Sequence, residues 1–186
     1  TETVPPESRQ AFWSDVLCSL YSQCVLTPGI PGGIRGQVRH CVVPHMEASM
    51  LHSAPMQARN VDGQVARDEQ VAYYVAIQLE GQATLQQAER ELLLQPGAMT
   101  VWTNAKPFVF RSEAPFGTAQ FKLPGHRTRR VLPDIDRLLC HQIGGQIAWL
   151  RRALLPLVEE VCGLHGDLDR AAEEALMHAA FELIVE

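Results

Sequence analysis

The sequence predicts an α+β fold: one helix, then an antiparallel β-barrel or jelly-roll of roughly eight strands, then a C-terminal helical region. Three observations lead there. Between residues 37 and 124 the chain is cut into short apolar runs by Pro, Gly and Asp, with turn signals about every 8–12 residues, which is the pattern of a sandwich or barrel. From Pro133 the apolar residues recur at helical spacing instead. Strands and helices are segregated along the chain, which excludes a parallel α/β arrangement.

Taken in order, Phe12, Val16, Leu17 and Leu20 lie one helical face apart and predict a helix over 8–20, with Ser8 as its N-cap. Thr27, Pro28, Gly29, Pro31, Gly32 and Gly33 read as a loop. Strands are expected over 37–43, 47–52, 56–61, 71–79, 83–87, 91–94, 98–102, 108–111 and 118–123. Gly81 and Gly97 stand where hairpins need positive φ, and Pro96 presets the turn before Gly97. Pro133 suits the first turn of a helix whose face holds Ile135, Leu138, Leu139 and Gln142, broken by Gly144-Gly145. A second helix follows Ile147, Leu150, Leu154, Leu157, Val158 and Val161 and should kink at Pro156, whose ring removes a hydrogen bond. Gly163 and Gly166 end it. Asp167 can cap a third helix, with Leu168, Ala172, Ala175, Leu176, Ala179 and Leu183 along one side. The expected division is 1–130 for the first helix and barrel, and 131–186 for the helices.

The 186 residues are 46% hydrophobic and 20% charged, which suits one folded domain and excludes disordered and coiled-coil classes for the bulk of the chain. A formal charge of −5 argues against a large nucleic-acid-binding surface. No apolar run approaches the roughly 20 residues of a membrane span, and residues 1–10 lack a signal-peptide core. The five cysteines, Cys18, Cys24, Cys41, Cys140 and Cys162, are odd in number and contain no C-x-x-C pair. They read as reduced thiols used as small apolar side chains, and a cytoplasmic location is expected. The chain starts without Met and stops inside an apolar helix, so further protein is expected after Glu186.

Motifs for catalysis are missing. There is no G-x-S-x-G elbow, phosphate-cradling glycine loop or H-E-x-x-H. His40, His45 and His52 lie in the strand region at spacings of five and seven, without an H-x-H pair. They are either surface imidazoles or a metal site. The basic cluster His126, Arg127, Arg129 and Arg130 reads as a solvated loop, with a phosphate contact as the alternative.

One stretch is recognisable. Tyr-Tyr-Val-Ala-Ile-Gln-Leu-Glu-Gly (73–81), Leu-Leu-Leu-Gln-Pro-Gly (92–97), Met-Thr-Val-Trp-Thr-Asn-Ala-Lys-Pro-Phe (99–108) and Phe-Lys-Leu-Pro (121–124) together resemble the cupin-type N-terminal sensor domain of AraC/XylS-type transcriptional regulators. The Phe12-Trp13 helix and the downstream helices fit the same layout. The resemblance implies a cupin-like barrel that binds a small organic effector, homodimerises, and controls a helix-turn-helix domain lying beyond Glu186. DNA would be touched only through that later domain, and no membrane is involved. Metal-binding cupins carry histidines and a glutamate at set places. Counting from Gly81 and Pro107, those places hold Tyr74, the region 68–70 and Phe108, which are not ligands. No metal, cofactor or catalytic residue is therefore expected. The competing function is a metal-dependent cupin enzyme, in which His40, His45 or His52 would hold the metal.

Alternation puts Tyr74, Ala76 and Gln78 on one strand face, which the resemblance turns into the barrel, with Val75, Ile77 and Leu79 facing outward. Gln78 either bonds to neighbouring backbone or orients a ligand. Phe108 and Phe110 share a face and would supply apolar wall, and Trp102 is a further aromatic candidate. The candidate ligand-binding set is thus Tyr74, Gln78, Trp102, Phe108 and Phe110. Aromatic acids, amines, nitriles and sugars are the effectors the resemblance implies. No Arg or Lys sits clearly on the Tyr74 face, which disfavours a strongly acidic ligand. The helix from Asp167 is apolar on more than one side, and the barrel can cover only one. Dimerisation through Leu176 and Phe181 is therefore expected.

Overall fold

The structure, a computed structural model, describes residues 3–30, 34–43, 46–60 and 70–143, with positions 152 and 156 besides. Pro5 and Pro6 open a 3-10 turn over Pro6–Ser8 that runs directly into helix α1, Arg9–Leu20. Ser8 precedes the helix but is itself helical, at φ −97° and ψ −9°, and its side chain caps nothing. The expected cap is replaced by this leading turn. The buried face also differs from expectation. Phe12 is exposed, while Trp13 and Leu17 are buried. The helix is rolled by one position because the Trp13 ring finds a seat that Phe12 cannot reach, directly over Gly36.

Eleven strands follow among the described residues. β1 (Val25–Pro28), β2 (Gly36–Val43), β3 (Met46–Ser53) and β4 (Met56–Asn60) precede β5 (Ala72–Glu80). β6 (Ala83–Gln87), β7 (Arg90–Leu94), β8 (Met99–Thr103), β9 (Phe108–Ser112) and β10 (Phe116–Pro124) complete the run, and β11 (Gln142–Ile143) returns later. They form two antiparallel sheets, ordered β1-β4-β9-β6-β7 and β11-β8-β5-β10-β3-β2, the cupin-like arrangement. The first two residues of β1 lie before the stretch read as loop, and that strand continues through Thr27 and Pro28 because it pairs with β4, Val25 opposite Arg59 through Pro28 opposite Met56. Gly81 takes φ +64° and Gly97 φ +88°, the positive values expected of them, but the turns they make are not hairpins: β5 to β6 and β7 to β8 each cross from one sheet to the other, because those strands pair with other partners.

Two apolar clusters use opposite faces of the six-stranded sheet. Tyr74, Ala76 and Trp102 belong to the cluster between the sheets, with Trp13 and Leu17 of α1. Tyr73, Val75, Ile77 and Val101 belong to the outer cluster, with Ile135 and Leu139. Burial on both faces explains why β5 reads as an almost unbroken apolar run.

The segment after the barrel departs from expectation. The basic cluster is a helix, α2 (Gly125–Val131), and not a loop. Gly125 donates to the Val71 carbonyl at 2.8 Å, so closely that a Cβ there would sit 2.7 Å from that oxygen. Arg129 donates to the Tyr73 hydroxyl at 2.9 Å and lies over its ring. The helix expected from Pro133 is a single 3-10 turn, Ile135–Leu138. Leu139 then turns extended and Cys140 takes φ +55°, which redirects the chain to pair Gln142 with Thr100 and Ile143 with Met99. Ile135 and Leu139 are buried as the spacing implied, but a turn rather than a helix carries them. The two later helices, with Leu176 and Phe181, lie outside the described residues except at positions 152 and 156, so of the expected helical domain, 131–186, the continuous part described is 131–143. Among the described residues no helix is long and apolar enough to cross a membrane.

Candidate functional site

The space between the sheets is not filled. A cavity of about 70 Å³, partly open to solvent, lies among residues of both sheets and of α1. Helix α1 and the turn after it contribute Leu17, Tyr21 and Cys24. The five-stranded sheet supplies Met56, Ala58, Leu85, Leu94, Phe108 and Phe110. The other sheet supplies Leu51, Ala76, Trp102, Phe116, Thr118 and Gln120. None of these side chains carries a formal charge at neutral pH. The apolar, aromatic lining with a few polar groups is that of a small-molecule site.

Strand alternation builds the aromatic wall. Tyr74 and Trp102 are directly paired across β5 and β8, and their rings stack at 4.0 Å with 11° between planes. Phe108 tilts against Trp102 at 5.0 Å, and Phe110 against Phe116 at 5.1 Å. The Tyr74 hydroxyl donates to the Tyr21 carbonyl and so ties the end of α1 to the sheet. Burial, with the Glu47 charge and Tyr21 adding to it, pushes the Tyr74 hydroxyl well above its ordinary pKa. Burial and the neighbouring Cys18 push the Cys24 thiol up to about 12. Both groups stay protonated at neutral pH, so the cavity presents neither phenolate nor thiolate.

Three of the expected ligand residues, Trp102, Phe108 and Phe110, line the cavity, and Tyr74 stands behind Trp102. Gln78 is buried, but its Nε2 donates to the carbonyls of Glu80, at 2.9 Å, and Gly81, at 3.4 Å. It serves the turn from β5 to β6, and its Oε1 has no partner among the described residues. The polar groups on the cavity wall are Thr118 and Gln120 instead. The Trp102 Nε1 donates to Gln120 Oε1 at 3.1 Å. Their signal was present in the sequence: in β10 the even positions 116, 118 and 120 face inward, between the buried outward residues Ala119, Phe121 and Leu123. Tyr21 and Cys24 carried no such signal, because they reach the cavity only through the turn that ends α1.

The reading that no Lys or Arg shares the Tyr74 face is corrected. Lys122 is paired directly with Tyr74 across β10 and β5, so both side chains leave the same face. A sequence cannot show this, since it depends on which strand neighbours which. Lys122 Nζ pairs with Glu47 Oε1 at 2.8 Å, and His40 Nε2 lies 3.1 Å from Glu47 Oε2. Burial alone would raise the Glu47 pKa, but the His40 and Lys122 contacts outweigh it and hold the carboxyl below its ordinary range. His40 therefore has a carboxylate partner. His52 packs against Gly117, and His45 lies outside the described residues. Among the described residues no three His, Cys, Asp or Glu side chains come together as metal ligands do.

Comparison with known proteins adds the following. A family model described as an AraC-binding-like domain matches residues 13–186. The crystal structure of the AraC-like transcriptional activator CuxR superposes with a TM-score of 0.81 at 11% identity, covering 98% of this chain and 66% of that one. An uncharacterized protein in nit 5'region of Bacillus sp. (strain OxB-1) is 24% identical over 124 residues, which are 67% of this chain and 48% of that protein. A cupin domain of an XRE family transcriptional regulator from Enterobacter cloacae matches 47% of the chain at a TM-score of 0.38 and 14% identity. The chain spans about half the length of the curated relative it matches.

Proposed function

The chain belongs to the family of AraC-binding-like domains, and on that premise we propose that it is the effector-sensing domain of a bacterial AraC-type transcriptional regulator. A small organic molecule enters the cavity between the two sheets and packs on Trp102, Phe108 and Phe110. Tyr74 backs that wall. Occupation of the cavity would then be read by a helix-turn-helix domain following Glu186, through which alone the protein would meet DNA. The regulator would work in the cytoplasm as a homodimer, with Leu176 and Phe181 in the contact between protomers.

The observation that carries this reading is the cavity itself: uncharged, aromatic-walled and built from both sheets and α1. A domain that served only as packing would have no reason to leave it open, because interiors are close-packed and voids cost stability. The protonated Tyr74 and Cys24 favour binding over acid–base or nucleophilic chemistry at this place. The test is a thermal-shift screen of small aromatic and heterocyclic compounds against the protein and against Ala58→Trp, which fills the cavity from β4. Compounds should stabilise the wild type and leave the filled variant unmoved. Stabilisation of both to the same extent would remove the cavity as the site.

A further inference from the structure

We infer that the cavity selects a neutral, ring-containing molecule bearing a hydrogen-bond acceptor at one end, and that Gln120 is the residue that reads the acceptor. This rests on the effector-binding reading above and sharpens it to a ligand class. The indole Nε1–H of Trp102 can only donate. Gln120, 3.1 Å away, must therefore turn its carbonyl oxygen toward it, which settles the orientation of an amide that could otherwise sit either way. The amide nitrogen is then presented as the donor. Of its two hydrogens, one makes a long contact of 3.4 Å to Thr118 Oγ1. The other has no protein acceptor among the described residues.

The neighbours of Gln120 leave that donor accessible. Gln120 is paired with Ala76 on one side and Ser49 on the other, both too short to cover an amide. Ser49 is in addition held by the Tyr21 hydroxyl at 2.8 Å. Gln120 and Thr118 thus form a small donor patch on a wall made mostly of aromatic and aliphatic side chains, with Trp102, Phe110 and Phe116 among them. Gln120 is only partly buried, so it is a ligand filling the cavity that would shut its free donor off from water; leaving that donor unmade is then costly, and the patch favours a ligand that accepts. A carboxylate does not fit: the nearby cation, Lys122, is already paired with Glu47, and no charged side chain lines the cavity to compensate a second anion. Nitriles, ketones, aldehydes and amides on an aromatic or alicyclic ring have the required chemistry.

Calorimetric titration of the purified protein with benzonitrile, toluene and benzoate tests this. Benzonitrile should bind about five- to tenfold tighter than toluene, the worth of one hydrogen bond, and benzoate more weakly than either. In Gln120→Leu the advantage of benzonitrile should vanish while toluene binding is kept. Thr118→Val, a smaller change, should reduce the advantage and serves if Gln120→Leu does not fold. Equal binding of toluene and benzonitrile by the wild type, or an advantage that survives both substitutions, overturns the acceptor inference and leaves the sensor reading standing. Binding of none of the three overturns both.

Discussion

Tyr74 lies flat on Trp102 while its hydroxyl donates to the Tyr21 carbonyl, so one side chain joins the aromatic wall of the cavity to the end of α1. Tyr74→Phe keeps the stack and removes the tie. It should cost about 1 kcal/mol in a urea titration, the net worth of one hydrogen bond. The raised pKa gives a second signature. A group whose folded pKa lies above its unfolded value contributes stability that is complete below the unfolded pKa and is lost as pH rises through the folded one. The wild type should therefore lose stability above its ordinary value of 10.0, and Tyr74→Phe should lose less over that range. Parallel alkaline profiles for the two proteins would contradict the assignment.

The Glu47 carboxylate, held by Lys122 and His40, makes the opposite prediction for acid. Its folded pKa is lowered, so its contribution is present above the unfolded value and is lost as pH falls through the folded one. Stability of the wild type should drop as pH falls below about 4.5, the ordinary value, and Glu47→Gln should show a flatter profile there. At pH 7 Glu47→Gln should be the less stable protein, since it leaves Lys122 without its anion. A steeper acid loss in the variant would refute this.

Gln78→Ala separates the two roles open to that residue. Its Nε2 bonds to the Glu80 and Gly81 carbonyls predict a loss of about 1–2 kcal/mol in chemical denaturation, because the turn loses its buried donor. Ligand affinity, measured by titration of any compound that binds the wild type, should change little. A tenfold loss of affinity with stability intact would restore Gln78 as a ligand contact.

Gly36→Ala should test how α1 is seated. A Cβ at Gly36 meets the Trp13 ring, so either the ring or the strand must move. Overpacking of this kind costs roughly 1–3 kcal/mol. Because Leu17 and Tyr21 of the same segment line the cavity, affinity for a bound compound should fall with it. Wild-type stability by differential scanning calorimetry would show that α1 adjusts without strain.

The strand positions were legible because their turns are written locally. Nine of the strand segments, with their Gly81 and Gly97 turns, follow from punctuation and alternation alone. The inward face of β5 needed the family resemblance to place Tyr74, after which alternation fixed which residues share that face. The cavity residues were legible in part for the same reason: Trp102, Phe108 and Phe110 are aromatic residues on strands, and their faces could be counted. Local signals failed where a partner overrode them. Phe12 and Trp13 are equally apolar, and only the seat over Gly36 buries the second. The run after Pro133 has helical spacing, yet the free edge of β8 draws it into β11 after one turn.

Spacing between near neighbours was enough to give the order of α1 and of strands β2 to β10, and the aromatic make-up of the barrel interior. The tertiary structure alone decided the rest. It put Lys122 beside Tyr74, 48 positions apart in number, and matched it with Glu47, so a charge invisible on the Tyr74 strand became part of that face. It set Trp102 Nε1 against Gln120 Oε1 and thereby fixed which end of an amide meets the cavity. It closed the cavity with a turn whose Tyr21 and Cys24 show no period. Strand neighbours are chosen by the burial of whole sheets and by hydrogen bonds between distant segments, and no local pattern of residues encodes which pairs will meet.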